Sequence, residues 1–259
     1  MKHLINDKID LTYETPLEES VQGLINLLIF SPHAVRPERK ADEKTAAAYA
    51  AQGFRLYPTV LRTTLFYDER SDCFFKMLHP LGPKRRMLFS ITDRARHIYT
   101  LSRELNAWGI PLPKVRAYGK IRGKNMPVFA MERVRGRSLY DMVIRDGQPF
   151  PMKLGLKVMD MIAKIHRSGY WLGDAHLSHI FVDDTDVTGF IDVDSMRRNL
   201  RTGTRNFAKD LAGLDHPLLS LTEEEKKKLA DRYLQAMKIA DRAAFLRVMK
   251  TYSERRWKR

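Results

Sequence analysis

Apolar and polar positions along the chain change their period several times, and each change marks an element. Alternation at every second residue predicts strands over Val60 to Tyr67 and Cys73 to Leu78, with Asp68-Glu69-Arg70-Ser71-Asp72 turning between them. The period then lengthens. Ile91, Ala95, Ile98, Leu101, Leu105 and Trp108 fall on one face of a helix from about Ser90 to Trp108, which Gly109-Ile110-Pro111-Leu112-Pro113 stops. Alternation returns over Val115 to Ile121 and Val128 to Glu132, two strands folded about Arg122-Gly123-Lys124-Asn125. Ahead of these, residues 17–30 and 41–52 read as helical pieces separated by Ser31-Pro32 and Pro37.

Beyond Gly136 the helical period dominates. Leu154, Val158, Met161, Ile162 and Ile165 form an apolar stripe that leads into a polar stretch, Gly173 to Phe181, reading GDAHLSHIF. Ile180-Phe181-Val182 and Val187 to Ile191 then predict a short hairpin across Asp183-Asp184-Thr185-Asp186. Thr222 and Glu225 have the spacing of a capping box, opening a helix through Leu229, Tyr233, Met237 and Ala240. A last helix carries Phe245, Val248, Met249 and Tyr252. The expected fold class is α+β in two lobes: a helical extension over residues 1–55, a small sheet lobe with one helix over 56–132, and a mainly helical lobe over 133–259.

Charge adds what periodicity cannot. The 259 residues carry 46 Lys and Arg against 31 Asp and Glu, a net +15 that points to an anionic partner: an acidic membrane surface, or a phosphorylated or carboxylated substrate. No zinc spacing, RNP motif or recognition-helix signature supports nucleic acid as that partner. The apolar run Leu24 to Phe30 is far short of the ~20 residues that span a bilayer, and no charged segment with a cleavage site opens the chain. One cysteine, Cys73, cannot close an internal disulfide, so the expected location is cytoplasmic.

The residues around GDAHLSHIF suit phosphoryl transfer, which asks a protein mainly to position reactants and neutralise charge. The protein-kinase pattern places a catalytic aspartate five residues before a metal-binding Asn, with a second metal-binding aspartate after the next hairpin. Here Asp174 is followed five residues on by His179, and the hairpin delivers Asp192, eighteen residues on, within Ile191-Asp192-Val193-Asp194. Upstream, Lys76 shares a strand face with Phe74 and Leu78. A lysine there either meets phosphate oxygens or guards a sheet edge, and the two aspartates in the right order favour the phosphate.

Taken together, Phe75-Lys76, the helix ending in GIPLP, the connector Met131 to Leu139, GDAHLSHIF and FIDVDS resemble the bacterial lipopolysaccharide kinases. These are the Kdo and core-heptose kinases, small relatives of the protein kinases. The resemblance covers roughly residues 56 to 215. It implies a two-lobed protein-kinase-like fold, ATP with Mg²⁺ (or Mn²⁺) as donor, and a sugar hydroxyl of an anionic glycolipid as acceptor. That acceptor would be reached from the cytoplasmic face of the inner membrane, with the protein peripheral on it. By the same resemblance Lys76 matches the phosphate-holding lysine, Asp174 the catalytic aspartate and Asp192 the principal metal ligand. The backbone of Met131, Glu132, Arg133 and Val134 matches the connector that meets adenine. Asp194 stands where a glycine is usual, either as a second metal ligand or as a surface charge, and Asp210 matches the residue that holds the catalytic loop.

Departures from the pattern keep a second class open, a kinase-shaped binding or regulatory module without turnover; a kinase for a soluble small molecule or a protein is a further alternative. Between Arg55 and Lys76 there is no glycine, so no Gly-rich phosphate loop. The acid that should pair with Lys76 is not evident: the expected position falls near His97, with Glu104 and Asp93 as alternatives. His179 replaces an oxygen ligand with an imidazole, an unusual choice for Mg²⁺. His176 reads as satisfying the loop backbone, and His166 as a helix C-terminal histidine favoured by the dipole. Downstream, Arg197, Arg198, Arg201, Arg205 and Lys209 are uninterrupted by any acid, suited to gripping an anionic acceptor. The tip Arg255-Arg256-Trp257-Lys258-Arg259 suits an anionic bilayer surface or a frayed tail.

Overall fold

Seven antiparallel strands organise the first part of the chain in a computed structural model that describes residues 1–30, 43–57, 62–200 and 203–258. The strands are β1 (Lys2–Ile5), β2 (Ile9–Tyr13), β3 (Phe54–Tyr57), β4 (Thr63–Asp68), β5 (Cys73–Leu78), β6 (Val115–Ile121) and β7 (Met126–Glu132). Their order in the sheet is β1-β2-β6-β7-β5-β4-β3. Two helices, α1 (Glu18–Phe30) and α2 (Glu43–Ala50), connect β2 to β3. Leu17, Val21, Leu24 and Ile25 recur at helical spacing and pack into one core with Phe54, Phe66, Phe75, Met77 and Val128. Alternation along β5 turns Cys73, Phe75 and Met77 into that core, which leaves Phe74 and Lys76 half-buried on the opposite face.

The chain divides into two compact units, Met1–Arg103 with Lys114–Arg133, and Glu104–Pro113 with Val134–Arg259. Residues 1–55 are therefore not a separate helical extension. β2 pairs with β6 from Ile9↔Ile121 to Tyr13↔Ala117, β3 pairs with β4, and α1 supplies part of the core. Between β5 and β6 the single helix expected from about Ser90 is two, α3 (Gly82–Ile91) and α4 (Arg94–Ala107). The break lies at Thr92-Asp93, where the Asp93 carboxylate accepts from Arg96 N at 3.0 Å and so caps α4. The last turn of α4, from Glu104, counts with the second unit.

The second unit is mostly helical: α5 (Met152–Arg167), α6 (Arg205–Leu214), α7 (Glu223–Met237) and α8 (Arg242–Trp257). Short strands β8 (Arg137–Ser138), β9 (Tyr170–Trp171), β10 (Ile180–Val182), β11 (Val187–Phe190) and β12 (Arg197–Arg198) form a three-stranded sheet, β11-β10-β8, and the pair β12-β9. Leu154, Val158, Ile162 and Ile165 bury the apolar stripe of α5, and α7 packs beside it with Leu229 and Tyr233 buried. Both halves of the capping box form at the start of α7. The fold class is α+β. Among the described residues, no helix is long and apolar enough to cross a membrane.

Candidate active site

The GDAHLSHIF segment leaves β9 and is held from beneath by Asp210 of α6. Asp210 is almost completely buried and accepts from Leu172 N at 2.5 Å and Gly173 N at 3.2 Å. Its Oδ2 also meets His166 Nε2 at 3.1 Å, and His166 Nδ1 lies 2.6 Å from the Tyr233 hydroxyl. A carboxylate only accepts, so Nε2 donates to Asp210 and Nδ1 accepts from Tyr233. The ring stacks on Phe207 at 4.2 Å. Burial pushes the His166 pKa down, although Asp210 pulls the other way, so the imidazole is neutral. His166 is thus an internal strut and not a charged residue on a helix dipole.

Two glycines let the loop close. Gly173 has φ +81°, and a Cβ there would lie 2.1 Å from Ser195 O. A Cβ on Gly213 of α6 would lie 2.3 Å from Ala175 O, so α6 can approach the loop only where the side chain is missing.

On this base the loop and the hairpin bring three ligand atoms together. One each from Asp174, His179 and Asp192 lie within 4.8 Å of one another. His179 ends a single turn, Leu177–His179, whose first amide hydrogen bond is made by His176: its Nδ1 accepts from Ser178 N at 3.2 Å. His176 therefore serves the loop backbone, as its position suggested. His179 Nδ1 sits 2.9 Å from Asp174 O. A carbonyl also only accepts, so Nδ1 is the nitrogen that donates here and Nε2 is the ring atom left to face a ligand. Asp192 follows β11 in the left-handed region, φ 64° and ψ 40°, a conformation aspartate tolerates better than most residues. Ser195 Oγ donates to its Oδ2, and Ile191 N to His179 O at 2.9 Å, locking hairpin to loop. Two carboxylates and one imidazole converging at this distance fit a divalent cation, and the nitrogen suits Mn²⁺ at least as well as Mg²⁺.

A distant side chain also reaches the cluster, and sequence reasoning missed it. Arg256, in the last turn of α8, places Nη2 3.0 Å from Asp174 Oδ1. Trp257 anchors that turn: its Nε1 donates to Ala212 O at 3.2 Å and its ring stands edge-on to His216 at 4.6 Å. Burial first, then the charges of His179, Arg256 and His216, holds the His176 imidazole below the usual histidine range. Burial and then Arg256 do the same to His216. Within the basic tip, Arg256 and Trp257 are thus turned toward the second unit's own site, while Arg255 and Lys258 are exposed.

No family model matches the sequence, and no curated protein matches it. Solved structures do. Monomeric WbdD superposes with a TM-score of 0.50 at 18% identity, over 73% of this chain and 45% of that structure. An aminoglycoside-3'-phosphotransferase of type VIII gives 0.50 at 14% identity, over 77% of this chain and 94% of that structure. A further WbdD structure, described as a bifunctional kinase-methyltransferase, has a TM-score of 0.49 at 15% identity, over 75% of this chain and 43% of that one. The chain spans less than half the length of the WbdD structures it matches. It has a two-lobed, protein-kinase-like fold.

Within that fold the remaining sequence-predicted residues fall as follows. Asp194 lies outside the three-residue cluster, and its carbonyl accepts from Arg197 at 2.7 Å. Lys76 of β5 stands opposite Leu65 of β4 and Phe129 of β7 in the first unit. In the connector Met131 is buried, Glu132 pairs with Arg116 at 3.2 Å, and Arg133 meets Asp72. Glu132 N and Arg133 N donate to Lys114 O and Asp72 O. Of the residues considered as partners for Lys76, Asp93 caps α4 and Glu104 accepts from the Tyr170 hydroxyl at 3.3 Å, while His97 is exposed on α4. In the basic segment Arg205 Nε donates to Tyr252 and Lys209 lies over the Trp171 ring; Arg197 and Arg198 are exposed, and Arg201 lies outside the described residues, as does Arg259.

Proposed function

We propose that the protein is an ATP-dependent phosphotransferase acting on a sugar hydroxyl of an anionic glycolipid, of the lipopolysaccharide-core class. The observation that supports it most directly is the convergence of Asp174, His179 and Asp192 on a loop held by Asp210, in a chain of protein-kinase-like fold. Asp174 takes the proton of the acceptor hydroxyl as that oxygen bonds to the γ-phosphorus. The bond to the β–γ bridging oxygen breaks and ADP leaves. Asp192 and His179 are the residues that would hold Mg²⁺ or Mn²⁺, which when bound offsets charge on the phosphate oxygens. Lys76 would hold the nucleotide phosphates. The connector backbone from Met131 to Val134 would meet adenine, with Glu132 N and Arg133 N already serving protein carbonyls.

The glycolipid class follows from charge. Exposed Arg197 and Arg198 lie just beyond Asp192, Arg256 touches Asp174, and the chain as a whole is strongly cationic. Such an acceptor would be met at an anionic membrane surface on the cytoplasmic side. Nucleotide binding with and without Mg²⁺ or Mn²⁺, followed by ATP turnover on purified core lipopolysaccharide, tests the reading. Absence of nucleotide binding under all these conditions would overturn it.

One observation favours a second reading, a nucleotide-binding module without turnover: in this structure Asp174 is paired to the protein's own Arg256. Nucleotide binding without phosphate transfer to any offered acceptor, unchanged by Asp174→Asn, would select it.

A further inference from the structure

Helix α3 follows β5 and begins at Gly82-Pro83, with the proline in its first turn, where no amide is needed. It ends at Thr92, whose amide and hydroxyl both donate to Leu88 O, at 3.0 and 2.7 Å. Not one of its ten residues is buried. Arg85 and Phe89, one turn apart, are half-buried and mark the side that rests against the protein. The side away from them carries Met87, Leu88 and Ile91, which are 66%, 48% and 72% exposed. Lys84 stands among these three and Arg86 flanks them. Between Asp72 and Asp93 the chain contains no acid.

Large apolar side chains held side by side in water mark a surface that something covers. We propose that α3 is the element by which the protein lies on an anionic lipid surface, with Met87, Leu88 and Ile91 entering the headgroup–acyl boundary and Lys84 and Arg86 meeting lipid phosphates. An interfacial helix needs this combination of an apolar face and basic neighbours. A second copy of the chain fits less well. A symmetric contact through α3 would set its lysine and arginines against the same residues of the partner, with no acid on the helix to answer them. The choice of a lipid surface rests on the glycolipid reading above, but vesicle binding requires no turnover, so the two can fail separately.

The test uses the full chain and co-sedimentation with vesicles of phosphatidylcholine alone or with about one-third phosphatidylglycerol. The parent protein should bind the anionic vesicles and release as salt is raised. Lys84→Gln/Arg86→Gln should weaken binding about fivefold per charge removed, the scale for a basic residue close to an anionic bilayer. Met87→Ser/Leu88→Ser/Ile91→Ser should weaken it at least tenfold while leaving the melting temperature in place, since none of these side chains is buried. Arg255→Gln/Lys258→Gln, at the exposed part of the C-terminal tip, should bind like the parent. Absence of parent binding to anionic vesicles would overturn the proposal, and so would α3 variants that bind undiminished. A dimer in analytical ultracentrifugation that the serine variant dissolves would show that a second copy covers α3 instead.

Discussion

Replacing Asp210 with alanine should separate the loop from its support. The carboxylate receives Leu172 N, Gly173 N and His166 Nε2, all inside the second unit, and almost none of it reaches solvent. Each buried donor left without an acceptor costs about 1–3 kcal/mol, but the loop can shift to rehydrate some of them, so the three do not add in full. Breaking a buried network of this kind typically costs about 3–5 kcal/mol. For a chain of this size that corresponds to a fall in melting temperature of roughly 10–15 °C. Asp210→Asn should fall between the parent and the alanine variant, because one oxygen remains to accept while the amide nitrogen repels one of the donors. Thermal melting followed by circular dichroism measures the first effect. Hydrogen exchange at Leu172 and Gly173 measures the second, and both amides should lose protection in Asp210→Ala. A melting temperature within ~3 °C of the parent, or unchanged protection at those amides, would refute the claim that Asp210 organises the loop.

Asp174→Asn should lower turnover by at least ~10²-fold with nucleotide affinity nearly unchanged, and stability should hardly move, because an exposed ion pair such as that with Arg256 contributes only ~0–1 kcal/mol. His179→Asn should shift the activity profile from Mn²⁺ toward Mg²⁺, since an oxygen donor replaces a nitrogen; an identical profile would remove His179 from the metal site. His166 makes stability depend on pH. Its folded pKa is lowered by burial, so below ~6.5 the unfolded chain takes up a proton that the folded one refuses. The melting temperature should therefore decline as pH falls through that range, more steeply than in His166→Gln, and parallel curves would count against it. Cys73 is buried and its thiol is pushed up to about 11. Iodoacetamide at pH 8 should leave it unmodified until the first unit unfolds, as about one thiol in a thousand is ionised there; prompt alkylation of native protein would contradict its burial.

What could be read in the sequence was local or periodic. The β6–β7 hairpin, the alternation of β5, the stripe of α5 and the Thr222–Glu225 cap each depend on residues a few positions apart. The spacing of Asp174, His179 and Asp192 could be read because one loop and one hairpin bring them together. Elements without burial left no periodic trace. β1 buries none of its residues and α3 none of its ten, so neither offers an apolar period to find. β2 does alternate, with Ile9, Leu11 and Tyr13 buried, and attention to that pattern would have placed residues 1–55 in the sheet. His166 follows Ile162 by one turn and so shares the buried face of α5, a signal that argued against a solvent-exposed cation. Arg256 lies 82 residues from Asp174, and only the docking of α8 on α6 brings the two together. No local rule reaches that far.

Arg256 also bears on which of the two functional readings is stronger. A guanidinium that closed the proposed site would be expected to cover Asp174. Yet the Asp174 side chain remains 55% exposed with the pair formed, whereas Arg256 is only 30% exposed. The recorded contact is to one oxygen, Oδ1. The arginine is the more enclosed partner, and Trp257 pins its helix end to Ala212. In that arrangement the cation is fixed first and the carboxylate is oriented by it, much as a buried acid orients a catalytic imidazole from its far side. The exposure that Asp174 retains leaves it open to an incoming hydroxyl. On the proposed reading, a positive charge held there would suit an acceptor with a carboxylate or phosphate close to the reacting group. The ion pair therefore leaves Asp174 accessible and does not close the site with the protein's own C-terminal helix, which is compatible with the phosphotransferase proposed above.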